Sequence, residues 1–272
     1  MRRLLVLALA ASLAAGCASS DTGSGTATGP VLPTEAAPVD FPVDAKPRPI
    51  VLLGSRVEVV DGYKSGEEKL GATEGGFEFV GTPPATPEAA PVELPDGTSK
   101  LPFLPMSDAL QAVSAPPRGK GQQNAPVRLV SAEFGTAEFS TDRGRWPLPA
   151  WRFTTEAGSV LAMPALAPDW FWRLGEVQPA VTTNASGTGV DITVSMPKAP
   201  EPCPGDEPAR NEPVVTESAT SVTVTVRTIG TVGQCPRTLA LTMQPYPVKL
   251  AKPLGNRLLV DGQGGVVAVT KQ

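Results

Sequence analysis

Proline and glycine constrain this chain more than any other feature: 31 prolines and 27 glycines are spread through its 272 residues. A proline inside a helix removes a backbone hydrogen bond and clashes with the preceding turn, and an interior glycine costs backbone entropy. Helices should therefore be few and short, and turns frequent. The content nevertheless stays below that of a chain with no core. With 41% hydrophobic residues, the region beyond residue 48 can bury one large core or two small ones.

Where apolar residues recur, they do so with period two. Val190, Ile192, Val194 and Met196 alternate with Asp191, Thr193 and Ser195; Val222, Val224 and Val226 alternate with Thr223 and Thr225; Leu239, Leu241 and Met243 repeat the pattern. Such spacing puts aliphatic side chains on one face of a strand and threonines on the other. Residues 56–59 and 77–80 read as shorter strands, and the polar stretch from Gly62 to Glu68 reads as a turn. Asp96-Gly97 lies between short apolar runs and suggests a hairpin. Residues 127–139 and 146–154 predict the clearest hairpin, with Gly144 supplying the bend. Pro147 and Pro149 cannot donate to a ladder, which puts the start of the return strand at an edge or a bulge. Ser107 reads as the N-cap of one short helix over residues 108–113. Residues 254–260 and 266–269, around Asp261-Gly262-Gln263-Gly264, read as a last hairpin. The expected fold is mostly β, with antiparallel sheets forming a sandwich or two small β domains, and one short helix.

The amino terminus carries an address. Met1-Arg2-Arg3 is basic, residues 4–13 are apolar but too short to cross about 30 Å of hydrocarbon, and Leu13-Ala14-Ala15-Gly16-Cys17 closes the run. That layout resembles the lipobox of bacterial lipoprotein signal peptides, Ala14 being its one imperfect match. The resemblance implies cleavage after Gly16 and a lipid anchor on Cys17 (a diacylglyceryl thioether, with palmitate-like chains). Two acyl chains suffice for stable anchoring, each buried methylene contributing about 0.8 kcal/mol. Residues 1–16 thus read as a signal peptide and residues 17–48, rich in Pro, Gly, Ser and Thr, as a flexible tether. Residues 49–175 read as a β-rich region with the short helix, and residues 176–272 as an antiparallel β region. Cys203 and Cys235 are the two cysteines left, and an even pair outside the cytoplasm reads as a disulfide rather than two free thiols. Closing that loop would restrict the unfolded chain by about 3–4 kcal/mol.

Chemistry is limited first by what is missing. The chain has no histidine, so the usual base, proton shuttle and metal ligand are absent. Two cysteines without a CxxC spacing do not make a tetrahedral zinc site, and no metal or cofactor is expected. Ser65 beside Lys64 and Lys69 has no motif around it. Asp61, Glu67, Glu68, Asp96 and Asp206 are the carboxylates that a histidine-free cell-wall hydrolase would have to pair across a cleft. Gly262-Gln263-Gly264-Gly265 lies between short strands and reads as a turn, not a phosphate loop. Trp146, Trp151, Trp170 and Trp172 cluster in sequence. Trp170 and Trp172 would share one face of a strand as a stacking platform for a ligand, or fill a core. Loss of Arg2 and Arg3 with the leader would take the formal charge of −4 to about −6, which argues against nucleic acid as a partner.

Two further segments carry a resemblance: Pro253-Leu254-Gly255-Asn256-Arg257 leading to Asp261, and residues 130–136 with Pro149-Ala150-Trp151-Arg152-Phe153-Thr154. They are similar to uncharacterised lipoproteins of high-GC actinobacteria. The resemblance implies a β protein of the cell envelope and brings no catalytic residue with it. The expectation is a non-enzymatic protein, lipid-anchored on the outer leaflet of the cytoplasmic membrane, with a structural or interaction role and an unidentified envelope partner. A carrier of lipid, peptide or glycan is the alternative.

Overall fold

In the computed structural model, residues 39–113, 125–181, 183–237 and 240–271 are described. The longest local pairing is the hairpin of β5 (Val127–Thr141) and β6 (Gly144–Thr155), closed by Asp142-Arg143 with Thr141 opposite Gly144. Gly144 sits at φ 81°, a conformation that glycine takes without steric cost. Thr141 Oγ1 donates to the Gly144 carbonyl at 2.8 Å and accepts the Arg143 N–H at 3.1 Å. The turn is thus two residues long, tighter than the six the sequence suggests. β7 (Val160–Pro164) pairs with residues 150–154 of β6, β1 (Glu58–Val59) pairs with β7, and β2 (Phe77–Phe79) runs parallel to the start of β5. The resulting order is β1-β7-β6-β5-β2. Pro147 and Pro149 precede the residues of β6 that meet β7. There the missing N–H groups leave no ladder bond unmade, as an edge position requires.

Alternation gives this sheet two buried faces. Leu148, Ala150, Ala162 and Phe139 point to one face, where Val92, Leu94 and Leu101 of the hairpin β3 (Ala90–Leu94) and β4 (Gly97–Leu101) cover them. Trp151, Phe153, Leu161 and Met163 point to the other, covered by Met106 and Ala109 of α2 (Met106–Val113). Val127 and Leu129 would fall opposite Ala132 and Phe134 by strict alternation. A bulge between Leu129 and Ser131 takes up Val130, which is left 40% exposed, and brings all four to the same face. Full burial of a side chain such as Leu129 contributes about 1.5–3 kcal/mol. α2 begins two residues before the expected start. The Pro105 carbonyl accepts the N–H groups of Asp108 and Ala109, while Ser107 Oγ donates to Asp108 instead of capping.

The later strands form two sheets that share one core. Four strands, β8 (Asn184–Thr188), β9 (Asp191–Pro197), β12 (Met243–Lys249) and β14 (Val269–Thr270), take the order β12-β9-β8-β14. Three, β10 (Arg210–Glu217), β11 (Ser221–Ile229) and β13 (Leu258–Asp261), take the order β10-β11-β13. Ile192, Val194, Met196, Tyr246 and Val248 from the first pack against Val222, Val224 and Leu259 from the second. The fold is therefore mostly β, with a face-to-face sheet pair in this part. β12 begins where the expected strand over 239–243 ends: Leu239 lies outside the described residues and Leu241 is 56% exposed. The strand instead runs through Pro245 and Pro247, whose ring nitrogens face the open edge while Tyr246 and Val248 turn inward. The last hairpin is also only partial. After one antiparallel bridge, Val260 to Val266, β13 joins β11 and β14 joins β8, both in parallel.

Residues 39–53 run as a strap. Phe41, Val51 and Leu53 share a core with Leu258, Val260 and Val266, and Trp172 packs on it from the side. Phe41 is 1% exposed, so the folded body includes Phe41, within the stretch that composition assigns to the tether. The same cluster takes residues from both sides of position 175.

Candidate functional site

The strap brings the most buried charges together. Arg48 and Asp142 side chains are 0% and 1% exposed and pair through both guanidinium nitrogens, Nη2 at 2.5 Å from Oδ2 and Nη1 at 3.3 Å from Oδ1. Arg48 also donates Nε to the Asn256 carbonyl and lies 4.6 Å over the Phe41 ring. Its backbone N–H donates to Asp96 in the β3–β4 turn at 2.7 Å. Arg143 stands 3.7 Å from Asp142 and donates to the carbonyls of Gly255 and Arg257. Burial pushes the Arg143 guanidinium below its usual range; the Arg48 charge adds to this and Asp142 opposes it. Arg257 gathers the carbonyls of Lys252, Pro253, Leu254 and Ser218, and pairs with Glu217 at 2.8 Å. The Pro-Leu-Gly-Asn-Arg segment is thereby a loop folded around arginine side chains. Its donors are spent on the protein itself.

Glu68 forms a second buried group. It lies in α1 (Gly66–Leu70), which Ser65 caps by accepting the Glu68 N–H at 3.0 Å. Ser65 and Glu68 stand three apart, the spacing of a capping box, where the sequence reading expects a plain turn. The carboxylate accepts Ser159 Oγ–H at 2.6 Å, the Thr155 hydroxyl and the Lys64 N–H. It thereby pins the helix to the β6–β7 turn. Burial pushes its pKa up, but the hydrogen bonds from Ser159, Thr155 and the backbone outweigh that and hold it below the ordinary glutamate value. A depressed carboxylate stabilises the fold above the unfolded-chain pKa and loses that contribution as pH falls through its folded value. Glu68→Gln should therefore lower the urea midpoint at pH 7, and the gap from the parent should narrow below about pH 4.5. A gap that stayed constant down to pH 3 would mean the carboxylate charge contributes nothing.

The residues singled out from sequence fall in separate places. Cys17 lies outside the described residues. Cys203 and Cys235 are bridged, with Cα atoms 5.9 Å apart. Trp170 ends a 3-10 turn (Pro168–Trp170) and packs on the core under β3–β4, whereas Trp172 meets Phe41 edge-on at 5.4 Å and stacks under Arg173 at 4.8 Å. The two do not form a common platform. Trp146 Nε1 donates to the Glu93 carbonyl and Trp151 Nε1 to the Leu104 carbonyl. Among the named carboxylates, Glu68 serves the capped helix and Asp96 the strap, while Asp206 lies against Gly233 beside the disulfide.

The chain matches no family model, no curated protein and no solved structure.

Function thus has to be read from the side chains. Glu68, Glu201 and Glu217 all have pKa values lowered from the ordinary one, the opposite of what a general acid at neutral pH requires. Among the described residues no group of three or more Cys, Asp or Glu is placed to hold a metal ion. An apolar cavity beneath α2, lined by Leu104, Ala109, Met163, Leu166, Phe171 and Leu174 among others, has a volume of about 20 Å³. That is room for about one water, with Arg56 the one charged side chain in an otherwise apolar lining.

Proposed function

We propose that this is a lipid-anchored β protein of the cell envelope that works by interaction rather than catalysis, held on the extracytoplasmic face of the membrane through Cys17. The observation that carries the reading is the lipobox-like run ending at Cys17. Two features of the body support it. Val39 is already tied to the body, its N–H donating to Ser221 Oγ and its carbonyl accepting the Thr220 hydroxyl. The Pro-, Gly-, Ser- and Thr-rich composition that follows Cys17 suits a spacer between anchor and body. The strongest buried polar groups, Arg48, Asp142, Glu68 and Arg257, are bound to other parts of the same chain.

Cys17→Ala should move the protein from the membrane pellet to the soluble fraction, and metabolic labelling with a fatty acid should mark the parent alone. A Cys17→Ala protein that stays in the pellet after a high-salt wash would overturn the anchor.

A further inference from the structure

We propose that the Cys203–Cys235 bridge is a thiol-exchange site with a fixed direction: an external thiolate attacks Cys235 and displaces Cys203. Both cysteines are half-exposed, unlike a bridge sealed in a core. Their surroundings differ. Cys235 lies in the wall of an open surface depression formed with Val232, Gly233, Gln234, Pro236 and Arg237, and Cys203 Sγ lies against Gly233 of that wall. Cys203 Sγ also receives Arg237 Nη2 at 3.1 Å, and the same guanidinium is positioned by Nε donating to the Glu201 carbonyl at 2.9 Å.

In thiol-disulfide exchange the sulfur that leaves better is the one whose thiolate is better stabilised, and an adjacent arginine lowers a thiol pKa. A small-molecule thiolate forms a sulfur-sulfur bond to Cys235, the Cys203–Cys235 bond breaks, and its electron pair stays on Cys203 as a thiolate paired with Arg237. Asp206, against Gly233 on the same side, is the negative charge that opposes this, and Lys198 holds Glu201 by a separate pair. The direct partner of the Cys203 sulfur is the arginine. Opening the bridge would untie the β9–β10 connection from the β11–β12 connection, so the redox state of the surroundings would act on one end of the sheet pair. The proposal does not depend on the lipid anchor.

The test is to incubate the full, folded chain with excess reduced glutathione, quench at timed points with iodoacetamide, and map peptides, the Cys17 peptide being scored separately. Early in the reaction, glutathione should sit on Cys235 and the alkyl label on Cys203, with a bias of about three- to tenfold over the reverse. Arg237→Gln should slow the exchange by a similar factor and level the bias, and Arg237→Lys should restore part of both. Thermal midpoints of the variants separate these effects from misfolding, and the bias in the parent needs no variant at all. An even split, a bias toward Cys203, or a bridge that resists glutathione until the protein is unfolded would each overturn the proposal.

Discussion

Asp142→Ala is expected to destabilise the fold by about 3–5 kcal/mol, the cost of removing one partner from a buried ion pair. The loss would exceed that of a surface bridge such as Arg128 with Glu156, whose side chains are 52% and 62% exposed and whose contribution is at most about 1 kcal/mol. The reason is geometric. Arg48 is enclosed between Phe41, the Asn256 carbonyl and the β5–β6 turn, so its charge has no water to return to once the carboxylate is gone. Arg143, 3.7 Å from the same carboxylate, would lose its counter-charge as well, leaving two guanidinium groups facing each other. Asp142→Asn keeps the shape and one acceptor oxygen and should cost less than the alanine change. Replacing both partners, Arg48→Met with Asp142→Leu, should recover much of the loss, because the desolvation penalty disappears with the charges. Urea unfolding of Arg48→Met, Asp142→Leu and the double variant gives the coupling directly. If Asp142→Ala cost under about 1 kcal/mol, the pair would have to be hydrated and the strap would not depend on it.

Much of the fold was legible because it is written locally. β9, β11, the β3–β4 turn at Asp96-Gly97 and the β5–β6 hairpin each have an alternating pattern or a glycine turn within a few residues. What was hidden depends on partners distant in sequence. β8 is Asn-Ala-Ser-Gly-Thr, with Ala185 its one apolar side chain, and it exists because β9 and β14 flank it. β12 carries two prolines and reads as a loop until its place on an open edge is known. The start of the strap looks like tether by composition, since Pro42 and Pro47 mask Phe41, whose burial is supplied by β13 and Trp172.

The candidate site divides the same way. A count of cysteines was enough to expect the Cys203–Cys235 bridge. Arg48 and Asp142 are 94 residues apart, and nothing near either one marks it as half of a pair. Glu68 was readable in principle from Ser65 three residues before it, but the hydroxyls that donate to its carboxylate come from Thr155 and Ser159, distant in sequence. Trp170 and Trp172 are spaced like strand neighbours. Pro168 starts a 3-10 turn that ends at Trp170, so the period of two does not carry across them.

Trp151→Ala should be as damaging as the loss of Asp142, by a different route. Trp151 is fully buried in the centre of the five-stranded sheet, on the face covered by α2. It meets Phe134 edge-on at 5.4 Å, and Phe134 in turn meets Phe103 at 4.7 Å. Truncation removes these contacts and leaves a cavity that β strands on both sides of β6 cannot collapse into, which costs about 3–5 kcal/mol. For a body of this size that is roughly 6–20 °C in Tm. The indole does a second job, since its Nε1–H donates to the Leu104 carbonyl at 2.8 Å, in the segment that leads into α2. Trp151→Phe keeps a ring but orphans that carbonyl, for a loss of about 1–3 kcal/mol beyond the change in volume. It should therefore loosen α2 before the sheet. Hydrogen exchange would show this as faster exchange in residues 106–113, with the β5–β6 amides still protected. Equal acceleration in both would mean the helix and sheet open as one unit, and the bond to Leu104 would then not be what holds α2 down.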